Sequence, residues 1–304
     1  TDYLGNIYLS LLDELFNNNK KLKPKLLNHN LSDVERVYDS MLHENNLYLA
    51  YVKKTNKCKK IIISFANLNY QKLNFKNFFE SKCSKVAPGR MAVISKENEK
   101  GILLSVSSGS YNDPSLDAQN DNSINGKTIF INFIDKKYSV FSKGHRVVQG
   151  LFVDDNLVIA TEHGPRGGDE INILKNQHNY GWPISSYGEK YDFKYESIPF
   201  FKKNHSTQGF EEPIFTFAPA IGISEIIKLP NEFSEMFNNV FLVSSLYGKS
   251  IFLVRLNTDP FRVIFAEKIF LNEKIKDIKY KKDKKAILLA FEVKGEIGIL
   301  KKIN

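Results

Sequence analysis

The chain has 304 residues, 42% hydrophobic and 25% charged, a balance that suits one large globular unit or two domains. No apolar run is long enough to cross a bilayer, and two cysteines, Cys58 and Cys83, are too few for a disulfide scaffold, though one bridge is open in an oxidising compartment. The net charge of +9 comes from scattered lysines such as Lys53, Lys54, Lys202 and Lys203, which read as a solvated surface and not as a nucleic-acid site.

Strand signals run along the whole chain. Residues 6–12 read as a strand, and 11–17 also carry a short helical period. Two β-rich runs, 46–53 and 59–66, flank a polar turn and read as a hairpin that 72–80 extends. Runs at 89–94 and 101–106 follow. A polar Ser/Asn/Asp insert then occupies 107–125; it holds Asp113, Asp117, Gln119 and Asp121, lacks the spacing of a calcium loop, and reads as a solvated loop. Further runs fall at 127–132, 138–141, 144–151 and 157–174. In the final third they fall at 223–227, 240–246, 250–256, 261–267, 276–280, 286–291 and 296–300. Three or four short strands per 40 to 50 residues, without long amphipathic helices, predict an all-β fold and suit propeller blades. No exact repeat and no Cys/His cluster with zinc spacing occurs.

The most unusual stretch is 161–183. It holds Gly164, Gly167, Gly168, Gly181, Pro165, Pro183 and the only tryptophan, Trp182. Glycine opens backbone conformations closed to other residues and proline fixes φ, so 164–168 predicts a shaped turn between two strands. His163, Arg166, Asp169 and Glu170 are expected at its tip. The motif Glu162-His163-Gly164-Pro165-Arg166-Gly167-Gly168-Asp169-Glu170-Ile171-Asn172, followed by Asn179-Tyr180-Gly181-Trp182-Pro183 and Ser186-Tyr187-Gly188, resembles the soluble glucose/sorbosone dehydrogenase family. Members of that family are six-bladed β-propellers that use pyrroloquinoline quinone (PQQ) and calcium to oxidise aldose sugars. The resemblance implies one six-bladed propeller domain over 1–304. It is clearest over 144–188, recognisable from 212 onward, and weak before Val86.

The resemblance also implies a site. Gly164 and Pro165 stand where family carbonyls ligate calcium, an ion that favours oxygen ligands. The family's Gly-His-Arg-Asn-x-Gln-Gly reads Gly144-His145-Arg146-Val147-Val148-Gln149-Gly150, which keeps Arg146 and Gln149 for the cofactor but puts Val147 at a cofactor-contacting Asn. Its Arg-x-Arg-Asp reads Lys274-Ile275-Lys276-Asp277, which keeps the charge and loses the bidentate guanidinium fork. Lys249 stands near a further family lysine. The catalytic His of the family's His-x-Gly-Gly/Ser-Arg falls on Val86, ahead of Gly89 and Arg90, and Val cannot accept a proton. His145 and His163 lie off that position and read as loop hydrogen-bonders.

Two functions are therefore expected. One is PQQ- and calcium-dependent oxidation of an aldose at C1, with a sugar and an electron acceptor as partners. The other is a propeller that has lost catalysis and serves as a binding or scaffolding module. Family habit places such proteins in the periplasm or outside the cell. The opening residues 1–5 carry neither a basic start nor an apolar block, so an exported form would be mature or trimmed.

Overall fold

The computed structural model describes residues 4–10, 24–55, 58–109, 116–155, 157–191, 201–233, 239–293 and 295–302. The helical period at 11–17 and Asp113 fall outside them. Among the described residues the only helices are three short 3-10 turns, and everything else regular is strand.

Six sheets form a six-bladed β-propeller. The first sheet joins β1 (Ile7–Leu9), β2 (Lys25–His29) and β6 (Lys72–Leu73). The second has β3 (Val34–His43), β4 (Asn46–Lys54), β5 (Lys59–Asn67) and β7 (Lys76–Glu80). The third has β8 (Pro88–Lys96), β9 (Glu99–Val106), β10 (Lys127–Asn132) and β11 (Tyr138–Lys143), with β15 (His178–Asn179) added in parallel outside. The fourth has β12 (Val148–Asp154), β13 (Leu157–Glu162), β14 (Asp169–Ile173) and β16 (Phe215–Phe217). The fifth has β17 (Ile223–Lys228), β18 (Val240–Ser245), β19 (Ser250–Thr258) and β20 (Phe261–Phe270). The sixth has β21 (Ile275–Lys281), β22 (Ala286–Phe291) and β23 (Ile297–Lys301). The strands β3, β8, β12, β17 and β21 are successive neighbours, so they form the inner wall.

Side-chain alternation holds the sheets face to face. Successive residues of a strand point to opposite faces, and here both faces are buried. On β9, Ile102 and Leu104 pack toward the second sheet while Leu103 packs toward the fourth. On β13, Val158 and Ala160 face the third sheet and Ile159 the fifth. On β18, Phe241 and Val243 face the fourth sheet and Leu242 the sixth. The apolar runs thus lack polar alternation because each blade sits between two others.

The inner strands β8, β17 and β21 lie where the sequence reading put them, while β12 is shorter and the outer strands β15 and β16 were not expected. Residues 144–147 are loop rather than strand, and β12 begins at Val148. Strands β2 and β3 carry no strong apolar run and were not expected. On β3 the face toward the propeller axis is polar, and Asp39 sits on it. Cys58 and Cys83 are bonded to each other, tying the β4–β5 turn to the segment before β8.

Candidate functional site at one end of the propeller

Antiparallel pairing brings the candidate residues to one end. The starts of β8, β12, β17 and β21 lie beside the ends of β9, β13, β18 and β22. The segments 86–87, 107–109, 144–147, 163–168, 246–249 and 274 therefore emerge on the same face.

The loop 163–168 is built around Asp169. Its carboxylate accepts the Gly164 N–H at 3.1 Å, the Ile221 N–H at 3.0 Å and the Ile223 N–H at 2.9 Å, binding the loop to the start of the fifth sheet. Asp169 and Glu170 are not at the tip as expected. They open β14 and are buried, because the β13–β14 ladder already pairs Glu162 with Glu170. Gly168 has φ +68°, and a Cβ there would strike the Gly188 backbone, so the bend requires glycine. Arg166 is exposed, and its backbone exchanges hydrogen bonds with Glu189 at 2.9 and 2.7 Å.

Arg146 is buried, and its Nη1 donates to the carbonyls of His163 at 3.1 Å and Gly164 at 2.7 Å. The Trp182 and Tyr191 rings lie 5.4 and 5.9 Å from its guanidinium carbon. Lys276 donates to the Gln149 side chain at 3.0 Å. Burial, then the positive Arg90, push the Lys276 ammonium below the ordinary lysine range. Between these cations stands His163. Its Nε2 is inaccessible and has no partner, and its ring hydrogen-bonds the Ile223 backbone. Burial lowers its pKa, and Arg146 and Lys276 add to that against the opposing pull of Asp169. The imidazole is thus held neutral, with Nε2 shut off from solvent and without a hydrogen-bond partner among the described residues.

The other predicted residues divide. Lys274 is exposed, and its carbonyl accepts the Glu292 N–H at 2.9 Å. Lys249 is exposed and reaches Asn272 at 3.2 Å, so it is not among the groups that meet at Gln149 and His163. Val147 accepts the His163 N–H at 2.9 Å through its carbonyl. Val86 is buried in the core with Phe79 and Met91. In the 107–125 insert, Asp117 and Gln119 hold the loop internally and to Trp182, and Asp121 pairs with Lys143.

The sequence reading missed two buried constellations. Arg90 plugs the axis. It donates to the Gln149 carbonyl at 2.6 Å, to Asp39 and Asp277 at 3.1 Å each and to the Lys276 carbonyl at 3.2 Å, and lies 3.4 Å from Glu225. Only the Gly89-Arg90 pair hinted at it. The second is a chain in which Ser142 Oγ meets His145 Nε2 at 2.7 Å and His145 Nδ1 meets Glu162 at 3.0 Å. It resembles a hydrolytic triad, yet Ser142 and His145 are shut off from solvent, so it serves as internal bracing.

The glucose/sorbosone dehydrogenase family model matches residues 31–299. The chain belongs to that family. The aldose sugar dehydrogenase YliI of Escherichia coli is 28% identical over 173 residues, which is 55% of this chain and 45% of that protein. The quinoprotein glucose dehydrogenase B of Acinetobacter calcoaceticus is 36% identical over 58 residues, 18% of this chain and 12% of that one. The matched stretches thus cover less than half of these curated relatives. Among solved structures, a glucose dehydrogenase superposes with TM-score 0.78 at 21% identity, covering 100% of this chain and 92% of that one. The PQQ-bound aldose sugar dehydrogenase of Streptomyces coelicolor gives 0.64 at 16% identity, covering 92% and 84%. These two likenesses establish the shared propeller fold.

Arg146 and Lys276, with the Gln149 amide on the Lys276 ammonium, make a polar, cationic mouth suited to an anionic planar quinone. At the calcium position the resemblance implies backbone carbonyl ligands, and there the Gly164 carbonyl accepts from the Arg146 guanidinium at 2.7 Å.

Proposed function

We propose that this protein is a quinone-dependent sugar dehydrogenase that oxidises an aldose at C1. The observation that carries the reading is the placement of Arg146, Lys276 and Gln149 at the propeller mouth, above the Arg90 plug. PQQ, when bound, would supply the two-electron acceptor. Arg146 and Lys276 would hold its carboxylates. Gln149 fixes the Lys276 ammonium, and the Trp182 and Tyr191 rings fix Arg146. Val86 cannot take a proton, and His163 Nε2 is shut off from solvent, so neither is placed to take the proton of the sugar hydroxyl.

A cleft of about 1180 Å³ between the second and third sheets supports a sugar ligand. Val86, Ser108 and Gly109 line it, together with Ser84 and Asn125. Ser108 accepts the Trp182 indole N–H at 2.9 Å, so the cleft abuts the ring beside Arg146. Hydroxyl- and amide-bearing walls of this kind suit a polyhydroxy molecule. The bonded Cys58–Cys83 pair agrees with a periplasmic or secreted location.

The test is reconstitution of purified protein with PQQ, an aldose series and an artificial electron acceptor. Turnover with at least one aldose is expected. Lys276→Met should weaken PQQ binding about tenfold, in line with roughly 1.5 kcal/mol for a hydrogen bond to a charged group. Saturable PQQ binding without turnover on any sugar would instead favour the non-catalytic binding module.

A further inference from the structure

We infer that the cleft between the second and third sheets takes a carboxylated oligosaccharide, so that the aldose oxidised is the reducing end of an acidic sugar chain. The inference deepens the sugar dehydrogenase reading and rests on it for what happens at the inner end of the cleft. The cleft holds about 1180 Å³, more than the roughly 300–1,000 Å³ that buries a drug-sized molecule, and so more than one hexose needs. It is also long. Val86 and Ser108 line its inner end, beside the start of β8 and the end of β9, and Ser108 accepts the Trp182 indole N–H at 2.9 Å. Phe79 on β7 and Tyr138 on β11 line its other end, on outer strands, with ring centroids 5.6 Å apart and edge to face. Tyr138 is 46% exposed, so part of its ring is open to a ligand. A groove that runs from the mouth to the rim fits a row of sugar units, with the reducing end at Ser108 and a later unit against Tyr138.

Charge narrows the class. Lys82 and Lys85, between Phe79 and Val86 in the chain, line the same wall; both are exposed, and among the described residues neither forms an ion pair. The carboxylates of the cleft are engaged, Glu80 with Lys60 and Asp117 in accepting the Asn125 amide at 3.0 Å. Lys59, the third lysine there, is taken by Glu35. The segment that carries Lys82 and Lys85 is braced. Cys83 is bonded to Cys58, the Ser84 N–H donates to the Lys59 carbonyl at 2.8 Å, and the Ser81 N–H donates to the Ile61 carbonyl at 2.9 Å. Two lysines are thus rooted three residues apart in a fixed strip. Separate single charges match carboxylates on successive sugar units better than one doubly charged phosphate.

The test is calorimetric titration of the purified protein with two probes of equal length: hexagalacturonate, with one carboxylate on each unit, and neutral maltohexaose. Hexagalacturonate is expected to bind about tenfold tighter, a difference of the size that two exposed ion pairs supply, and the preference should shrink as added salt screens them. The double variant Lys82→Gln with Lys85→Gln should bring the two affinities to within about twofold of each other. Tyr138→Ala should weaken both probes alike. All three side chains are exposed, so the variants keep the fold. Equal affinity of the wild type for the two hexasaccharides, a preference that survives in the lysine variant, or hexaglutamate binding as tightly as hexagalacturonate would overturn the inference. Failure of both sugars to bind would overturn it too. Turnover of a simple aldose by the PQQ-reconstituted protein would in that case leave the dehydrogenase reading standing.

Discussion

Glu170 carries a carboxyl into the core between sheets and has little there to support a charge. Among the described residues its only side-chain donor is Asn172 at 3.2 Å, and His205 Nε2 stands 3.7 Å away without a hydrogen bond. Burial, reinforced by the neighbouring Glu162, pushes the Glu170 pKa well above the usual carboxylate value of 4.5. Burial lowers the His205 pKa, so the histidine does not offer a ready counter-charge. The native state therefore binds a proton that the unfolded chain has released. A raised folded-state pKa contributes stability that is complete below the unfolded value and is lost as pH rises through the folded one, at up to about 1.4 kcal/mol per pH unit. Glu170→Gln keeps an acceptor for Asn172 and removes the titration. The variant is expected to gain melting temperature over wild type progressively from pH 5 to pH 8, by thermal unfolding at matched ionic strength. Parallel profiles would show that the carboxyl ionises in the core without cost. The His163 and His205 titrations act in the opposite sense, since their depressed pKa values cost stability as pH falls below 6.5, but they are common to both proteins.

At the scale of an element, Lys127 shows how one side chain orders a loop that the sequence reading treated as solvated. It opens β10 fully buried, and its ammonium donates to the carbonyls of Asp117 at 2.8 Å, Ala118 at 2.9 Å and Asn125 at 3.1 Å. Burial draws its pKa down to about 8. The loop it gathers packs Ala118 against Trp182 and sends the Gln119 amide to the Trp182 carbonyl at 2.6 Å. Lys127→Met would take a donor from all three carbonyls; those of Asp117 and Ala118 keep the Asn120 and Gly144 N–H groups, while that of Asn125 loses its ammonium donor, and an unsatisfied buried group costs about 1–3 kcal/mol. A loss of about 1–3 kcal/mol in urea unfolding is expected, with a red-shifted Trp182 emission in the folded baseline. An unchanged urea midpoint would mean that the loop is held by the Trp182 contacts alone. The same contrast explains what was legible. Strands β9, β10, β13 and β18 could be read because both faces are apolar, and the 164–168 bend because glycine and proline mark shape locally. Strand β3 could not, because the polarity of its axial face matters only once Arg90 arrives from 51 residues away. Arg146 and Gln149 were found through the motif, but what Arg146 touches depends on a loop 18 residues further on.

For the whole molecule, Arg90 addresses the weakness of a ring of sheets, which is the gap along its axis. Its guanidinium joins β8 to groups on β3, β12, β17 and β21, so five inner strands meet at one side chain. Burial opposes its charge, but Glu225, Asp39 and Asp277 together outweigh that and raise its pKa further. The carboxyls respond the other way. Burial raises the pKa of Asp39 and of Glu225 despite the attraction of Arg90 and, more weakly, of Lys279, so Arg90 is the main cation that favours negative charge in the cluster. Breaking a buried pair by removing one partner typically costs about 3–5 kcal/mol, since the remaining charges stay behind unpaired. Arg90→Met, which keeps much of the volume, is therefore expected to lose about that much in urea unfolding at pH 7. Without the guanidinium the folded-state pKa values of Asp39 and Glu225 rise further above those of the unfolded chain. Protons then bind the native state preferentially, and the deficit relative to wild type should shrink as pH falls from 7 to 5. A deficit of equal size at both pH values would mean that the guanidinium acts by filling space, and that the axial carboxyls are neutral with or without it.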